Sequence, residues 1–149
     1  MFSLYLVARR AEELLSSQDN AAYKAVLAEL NTLKVSHSSL TTSEKSHPIT
    51  ECATFADDIK SKGYSFQSGW HFIDQPYLDK GGSLDDFTFV PDTYEILDAI
   101  KDLTAFLAKD GTAYLNSYYY KTIKASFPNE ADARSFALRL IIHYVGDLH

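Results

Sequence analysis

The run His143-Tyr-Val-Gly-Asp-Leu-His149 lies on a helix that opens under an Asn129 cap, and it carries a metal-ligand pattern. His143 and Asp147 are four residues apart, so on a helix both side chains leave one face about one turn from each other. An imidazole nitrogen and a carboxylate oxygen at that spacing can share one divalent ion, as paired histidines one turn apart do in metalloproteases. Gly146 sits between them. A glycine inside a helix costs about 1 kcal/mol relative to alanine, and such a cost usually marks close approach of another element to the backbone. Taken alone, a His and an Asp at this spacing are more often a solvated pair, so the rest of the chain has to decide.

Upstream, the chain divides into helices joined by polar loops. Phe2 to Leu15 has helical period, with Leu4, Val7, Ala8, Ala11, Leu14 and Leu15 on one side and Arg9, Glu12 and Glu13 on the other. Asn20 is the expected cap of a second helix to about Leu33, with Tyr23, Val26, Leu27 and Leu30 inward. Val35 to Pro48, rich in Ser, Thr and His, reads as a loop that keeps His37 and His47 at the surface. A third helix is expected over about Thr50 to Lys62, stopping at Gly63. Tyr64 to Val90 lacks sustained helical period and is expected to be irregular. Pro91 should open a helix to about Lys109, and a Tyr-rich helix should span Ala113 to Phe127. No stretch gives a convincing strand, so the expected class is all-α.

Composition narrows the function. Hydrophobic residues are 46% and charged residues 23%, which suits a folded domain of 149 residues, whole or partial. The net charge of −6 argues against a broad basic groove for nucleic acid, so a phosphate-binding role would need bound cations or a few placed Lys or Arg. Cys52 has no partner for an internal disulfide, and no run is long enough to span a membrane. Met1 to Ala8 is apolar without a positive n-region and continues into an amphipathic helix, unlike a cleavable signal.

Two further segments carry possible ligands. In Ala53-Thr-Phe-Ala-Asp-Asp-Ile-Lys60, Asp57 follows Ala56, with Phe55 and Ile59 as apolar neighbours that can turn its carboxylate inward. Spacing alone favours an exposed acidic face in which Asp57 and Asp58 pair with Lys60 and Lys62. In Trp70-His-Phe-Ile-Asp-Gln-Pro76 a histidine stands in an aromatic loop, where either a backbone hydrogen bond or a metal would satisfy it.

ATFADDIK, GWHFIDQP and HYVGDLH, in that order and with these separations, resemble the class I nucleases, the single-strand-specific trinuclear zinc nucleases and 3′-nucleotidases of fungi, plants and protists. The resemblance implies an all-helical fold shared with zinc-dependent phospholipase C. It makes Asp57, His71 and His143 ligands of one Zn2+, with Asp147 bridging to a neighbouring ion. Phe72 would stack on the nucleobase 5′ to the cut bond, Asp74 would hydrogen-bond the base edge, and Lys60 would lie near the phosphate. The implied reaction is zinc-assisted phosphodiester hydrolysis of single-stranded DNA or RNA, or of 3′-nucleotides, to 5′-nucleotides. Asp57 and a zinc-bound water would be the catalytic pair. It further implies a secreted or endomembrane protein, monomeric when intact and without a membrane anchor.

The departures are equally specific. Family members begin with a tryptophan whose amino terminus binds zinc, and a histidine ligand follows it. Leu4 stands where that histidine aligns. His149 matches a motif histidine that is not itself a ligand, and the Gln-Pro-Leu-His that follows it in the family is not in this sequence. Residues 1–149 are therefore expected to be part of a single zinc-nuclease domain, to support at most about one of three zinc ions, and to be poorly soluble and nearly inactive alone. The competing expectation is a helical binding domain that has lost its metal cluster.

Overall fold

The computed structural model describes residues 2–73, 78, 81–86, 88, 90 and 94–149, and among them there is no strand. The helices are α1 (Phe2–Gln18), α2 (Asn20–Ser36), the short α3 (Pro48–Glu51) and α4 (Phe55–Asp58), α5 (Ile96–Ala108), α6 (Tyr118–Ser126) and α7 (Glu130–Asp147). The all-α expectation holds. No helix of the described residues is long and apolar enough to cross a membrane.

Helix α7 is the axis of the molecule and packs against α1, α2, α5 and α6. Asn129 starts it as expected, its side chain accepting from the Ala131 and Asp132 amides. Ala133, Phe136, Ala137, Leu140 and Tyr144 are all fully buried on it. Side chains the size of Phe136 and Leu140 each contribute about 1.5–3 kcal/mol when removed from water. On α5, Ile96, Ala99, Leu103 and Phe106 repeat at helical spacing and close the core from the other side. The surplus of aromatics goes largely into that core: Phe136 lies edge-on to Phe55 at 5.4 Å, and Trp70 edge-on to Tyr119 at 4.8 Å.

Several boundaries differ from the sequence reading. Asp19, not Asn20, caps α2, because its carboxylate reaches the Ala22 amide at 2.9 Å, and α2 runs on to Ser36. The single helix expected from Thr50 to Lys62 is a chain of short turns: α3, a 3₁₀ turn over Cys52–Thr54, α4, and another 3₁₀ turn over Lys60–Lys62. It does stop at Gly63, whose φ of 93° suits glycine. Ser65–His71 is a 3₁₀ helix rather than irregular chain. The expected Pro91 start of α5 lies outside the described residues. The Tyr-rich helix is split at Ser117, whose hydroxyl accepts from the Tyr120 amide and caps α6.

Candidate metal centre

The short turns are what bring the centre together. The broken segment 48–62 lies against both α1 and α7, while Ser65–His71 carries its histidine to the C-terminal end of α7. Where α1 crosses α7, a Cβ on Gly146 would stand 2.6 Å from Leu4 Cδ2 and 3.3 Å from Leu4 Cα. The glycine is therefore explained by close approach of another helix. Leu4, aligned with a ligand histidine of the resembled family, is buried there and offers no donor atom.

His143 is fully buried and its Nδ1–H donates to the Ala53 carbonyl at 2.6 Å, which leaves the Nε2 lone pair facing the cleft. His71 is buried with its Nε2 2.8 Å from Gln67 Oε1. The remaining atoms converge. His71 Nδ1 lies 3.1 Å from His143 Nε2 and 2.9 Å from Asp147 Oδ2, and His143 Nε2 lies 3.1 Å from the same oxygen. Two imidazole nitrogens and a carboxylate oxygen in mutual contact need a positive centre among them, either a proton or a metal. Two ligands of a tetrahedral zinc, each at about 2.0–2.1 Å, stand about 3.3 Å apart, within a few tenths of an ångström of these edges. Burial holds the His71 imidazole below its ordinary protonation range against the upward pull of Asp147. That disfavours the proton and leaves a ring suited to a metal.

Asp57 stands at the rim of this triangle. It offers a carboxylate oxygen to a set with His71 and His143 in which all ligand atoms lie within 4.8 Å of one another. Burial works upward on this carboxyl, but the hydrogen bond from Lys60 and the facing His143 and His71 rings outweigh it. The net result is a group held below the usual range and ionised at neutral pH. Lys60 Nζ donates to Asp57 Oδ1 at 2.8 Å, so the pair anticipated for an acidic face exists. It forms inside the cleft, and the rest of that face does not form: Asp58 accepts from Thr54 Oγ1, and Lys62 donates to the Ser39 carbonyl.

Asp57, Lys60, His71, Phe72 and Asp147 line one cleft of about 320 Å3. Phe72 is 60% exposed, an unusual position for a phenyl ring and one that leaves its face open to a planar ligand. Its carbonyl accepts from the Ile96 amide at 3.1 Å, which fixes the backbone beneath the ring. Asp74, expected at the base edge, lies outside the described residues. A larger hollow of about 400 Å3 beside Leu27, Lys34 and Glu44 has no comparable chemistry, because Glu44 is already bound to Arg139.

The sequence reading missed Gln67 and Tyr144. Gln67 Oε1 meets His71 Nε2 at 2.8 Å and Tyr144 Oη at 3.0 Å, while Gln67 Nε2 donates to the Ala56 carbonyl at 2.6 Å. The only signal was position, with Gln67 four residues before His71 and Tyr144 next to His143. Burial pushes the Tyr144 hydroxyl well up, so it remains a proton donor at any ordinary pH.

No curated protein and no solved structure matches the chain. A family model does: the one described as S1/P1 nuclease matches residues 5–149. That match spans Gly146 and every donor in the cleft, with Leu4 lying just before it, and by it the chain belongs to the S1/P1 nuclease family.

Proposed function

We propose that the cleft is a zinc site serving phosphodiester hydrolysis in single-stranded nucleic acid or 3′-nucleotides, yielding 5′-nucleotides. The observation that carries this reading is the convergence of His71 Nδ1, His143 Nε2 and Asp147 Oδ2 at 2.9–3.1 Å beside an exposed phenyl ring. His71, His143 and Asp147 hold the ion, and Asp57 completes the set from the rim. When bound, zinc supplies a Lewis acid for the phosphoryl oxygens and acidifies a water towards neutral pH.

The remaining work belongs to the chain's own groups. Lys60, shared with Asp57 in the cleft, turns its ammonium to a phosphate oxygen and offsets charge that an acidic protein would otherwise repel. Asp57, kept ionised, orients the attacking water by accepting its proton in a hydrogen bond. Phe72 stacks on one unpaired base, which selects for single strands because a base within a duplex has no free face. Asp147 reaches both histidines and would be the carboxylate shared with a second ion if one were held beside the first.

Leu4 favours a second reading, in which zinc and strand are bound without cleavage. One assay separates the two. Fluorescent single-stranded and duplex oligonucleotides are incubated with chelator-stripped protein, then with added zinc, using His143→Ala as control. Zinc-restored cutting of the single strand, lost in the variant, supports hydrolysis. Zinc-dependent binding without cutting supports the second reading. Cutting that survives chelation contradicts the zinc site.

A further inference from the structure

The structure assigns Gln67 and Tyr144 as positioning residues that set which nitrogen of His71 carries its hydrogen and so leave Nδ1 free towards the cleft, an inference that rests on the zinc reading above. Both side chains are fully buried. A glutamine amide has a donor end and an acceptor end, and here the donor end is committed: Nε2 gives a hydrogen to the Ala56 carbonyl at 2.6 Å. Turning the amide over would set oxygen against oxygen at that distance. Oε1 must therefore face the other way, where it accepts from Tyr144 Oη at 3.0 Å.

The second lone pair of Oε1 meets His71 Nε2 at 2.8 Å. An amide oxygen only accepts, so the hydrogen lies on His71 Nε2 and Nδ1 is left as a lone pair. That assignment opposes a strong local alternative. With its hydrogen on Nδ1, His71 would donate directly to Asp147 Oδ2 at 2.9 Å, closing ring and carboxylate onto each other without a metal. Asp147 draws His71 towards the closed form, and Gln67 holds it in the form that binds. His143 needs no such helper, because the Ala53 carbonyl fixes its tautomer directly. The Gln67 amide also spans the site: its partners are the residue before Asp57 and the residue after His143.

Partners that orient a ligand histidine typically change metal affinity about 10- to 100-fold when removed. The test compares the full chain with Gln67→Leu, Gln67→Glu and Tyr144→Phe. Zinc affinity is measured by competition with a chromophoric chelator, and the His71 tautomer by ring-nitrogen NMR of metal-free protein. We expect Gln67→Leu to move the hydrogen to Nδ1 and to weaken zinc about 10- to 100-fold. Gln67→Glu keeps the acceptor towards His71 provided its other carboxyl oxygen is protonated and donates to the Ala56 carbonyl in place of the amide. In that neutral form it should retain the Nε2–H tautomer, and Tyr144→Phe should weaken zinc less than Gln67→Leu does. An unmoved tautomer in Gln67→Leu overturns the proposal, even if zinc affinity falls. Should Gln67→Leu fail to fold, as judged by circular dichroism, Tyr144→Phe carries the test. An unchanged tautomer population and zinc affinity there would then count against the proposal. If the wild-type chain takes up no zinc, the metal reading fails alone, and the tautomer measurement still decides the role of Gln67.

Discussion

Replacing Gly146 by alanine sets two effects against each other, and the structure predicts which wins. In the last turn of α7, one residue before its end, the change should gain no more than about 1 kcal/mol of helix propensity. The added Cβ, however, would stand 2.6 Å from Leu4 Cδ2 and 3.3 Å from Leu4 Cα. The second contact is only slightly tight, so α1 need shift by a few tenths of an ångström. The first forces the Leu4 side chain out of a site it shares with Ala8, Ala53 and Ile142. An off-rotamer Leu4 costs about 0.5–1.5 kcal/mol, and overpacking a filled site costs about 1–3 kcal/mol in total. The net expectation is a loss of up to about 3 kcal/mol, or up to roughly 12 °C in Tm for a chain of this size. The assay is thermal and urea unfolding of wild type, Gly146→Ala, Leu4→Ala and the double variant. Leu4→Ala alone should cost about 2–5 kcal/mol by leaving a cavity. In the double variant the new methyl enters that cavity, so the loss should be at least about 1 kcal/mol less than the sum of the singles. Additive losses, or a Gly146→Ala variant more stable than wild type, would refute the close-approach account of this glycine.

Three other perturbations follow from the geometry. Arg139 is fully buried and meets Glu44 in a two-point pair at 2.6 and 2.7 Å, so Glu44→Ala should cost about 3–5 kcal/mol by chemical denaturation, with Glu44→Leu/Arg139→Met recovering most of it. Burial works upward on the Glu51 carboxyl, but the Lys45, His47 and Ser46 amides hold it below its ordinary 4.5. Its contribution should therefore be complete above about pH 4.5 and fade as the pH falls further, so the stability gap between wild type and Glu51→Gln should narrow on acidification; a gap that widens would contradict it. Phe72→Ala should weaken binding of a short single-stranded oligonucleotide by about 1–3 kcal/mol per stacked base, read by fluorescence anisotropy, while leaving zinc affinity unchanged.

How much was legible in the sequence depended on whether a signal was local. The periods of α1 and α2 could be read because each carries an apolar stripe, although α1 buries Glu12, expected on its outer side, and exposes Ala11, expected on its inner one. The Asn129 cap was legible for the same local reason. The segment 50–62 misled because its composition suits a helix, while its backbone answers to tertiary contacts: the Ala53 carbonyl serves His143 and the Ala56 carbonyl serves Gln67. Ser117 was passed over because the tyrosines on both sides continue one pattern through it. At the site, the resemblance identified the residues that the structure gathers in one cleft: Asp57, Lys60, His71, Phe72 and Asp147, with His143 behind them. Gln67 and Tyr144 remained hidden because their roles come from pairing across 77 residues of separation, which no spacing rule contains.

Helix α7 shows why fold and site are one construction. Ser135, Arg139, His143 and Asp147 fall every four residues along it. Four residues exceed one 3.6-residue turn by about 40°, so this polar seam winds slowly around the helix. Its partners follow in chain order: Ser135 donates to the Leu30 carbonyl, Arg139 to Glu44, His143 to the Ala53 carbonyl, and Asp147 meets His71. The chain from α2 through the 3₁₀ run therefore wraps α7 in step with the seam, and each polar contact fixes the height of the next. A buried charge such as Arg139 is a doubtful source of stability, since an apolar pair of equal volume often does as well. In this seam it has a further use, because it sets the register one turn before the histidine that faces the cleft. The last two members of the seam leave their lone pairs pointing into the cleft, where the wrapping chain has brought the third donor.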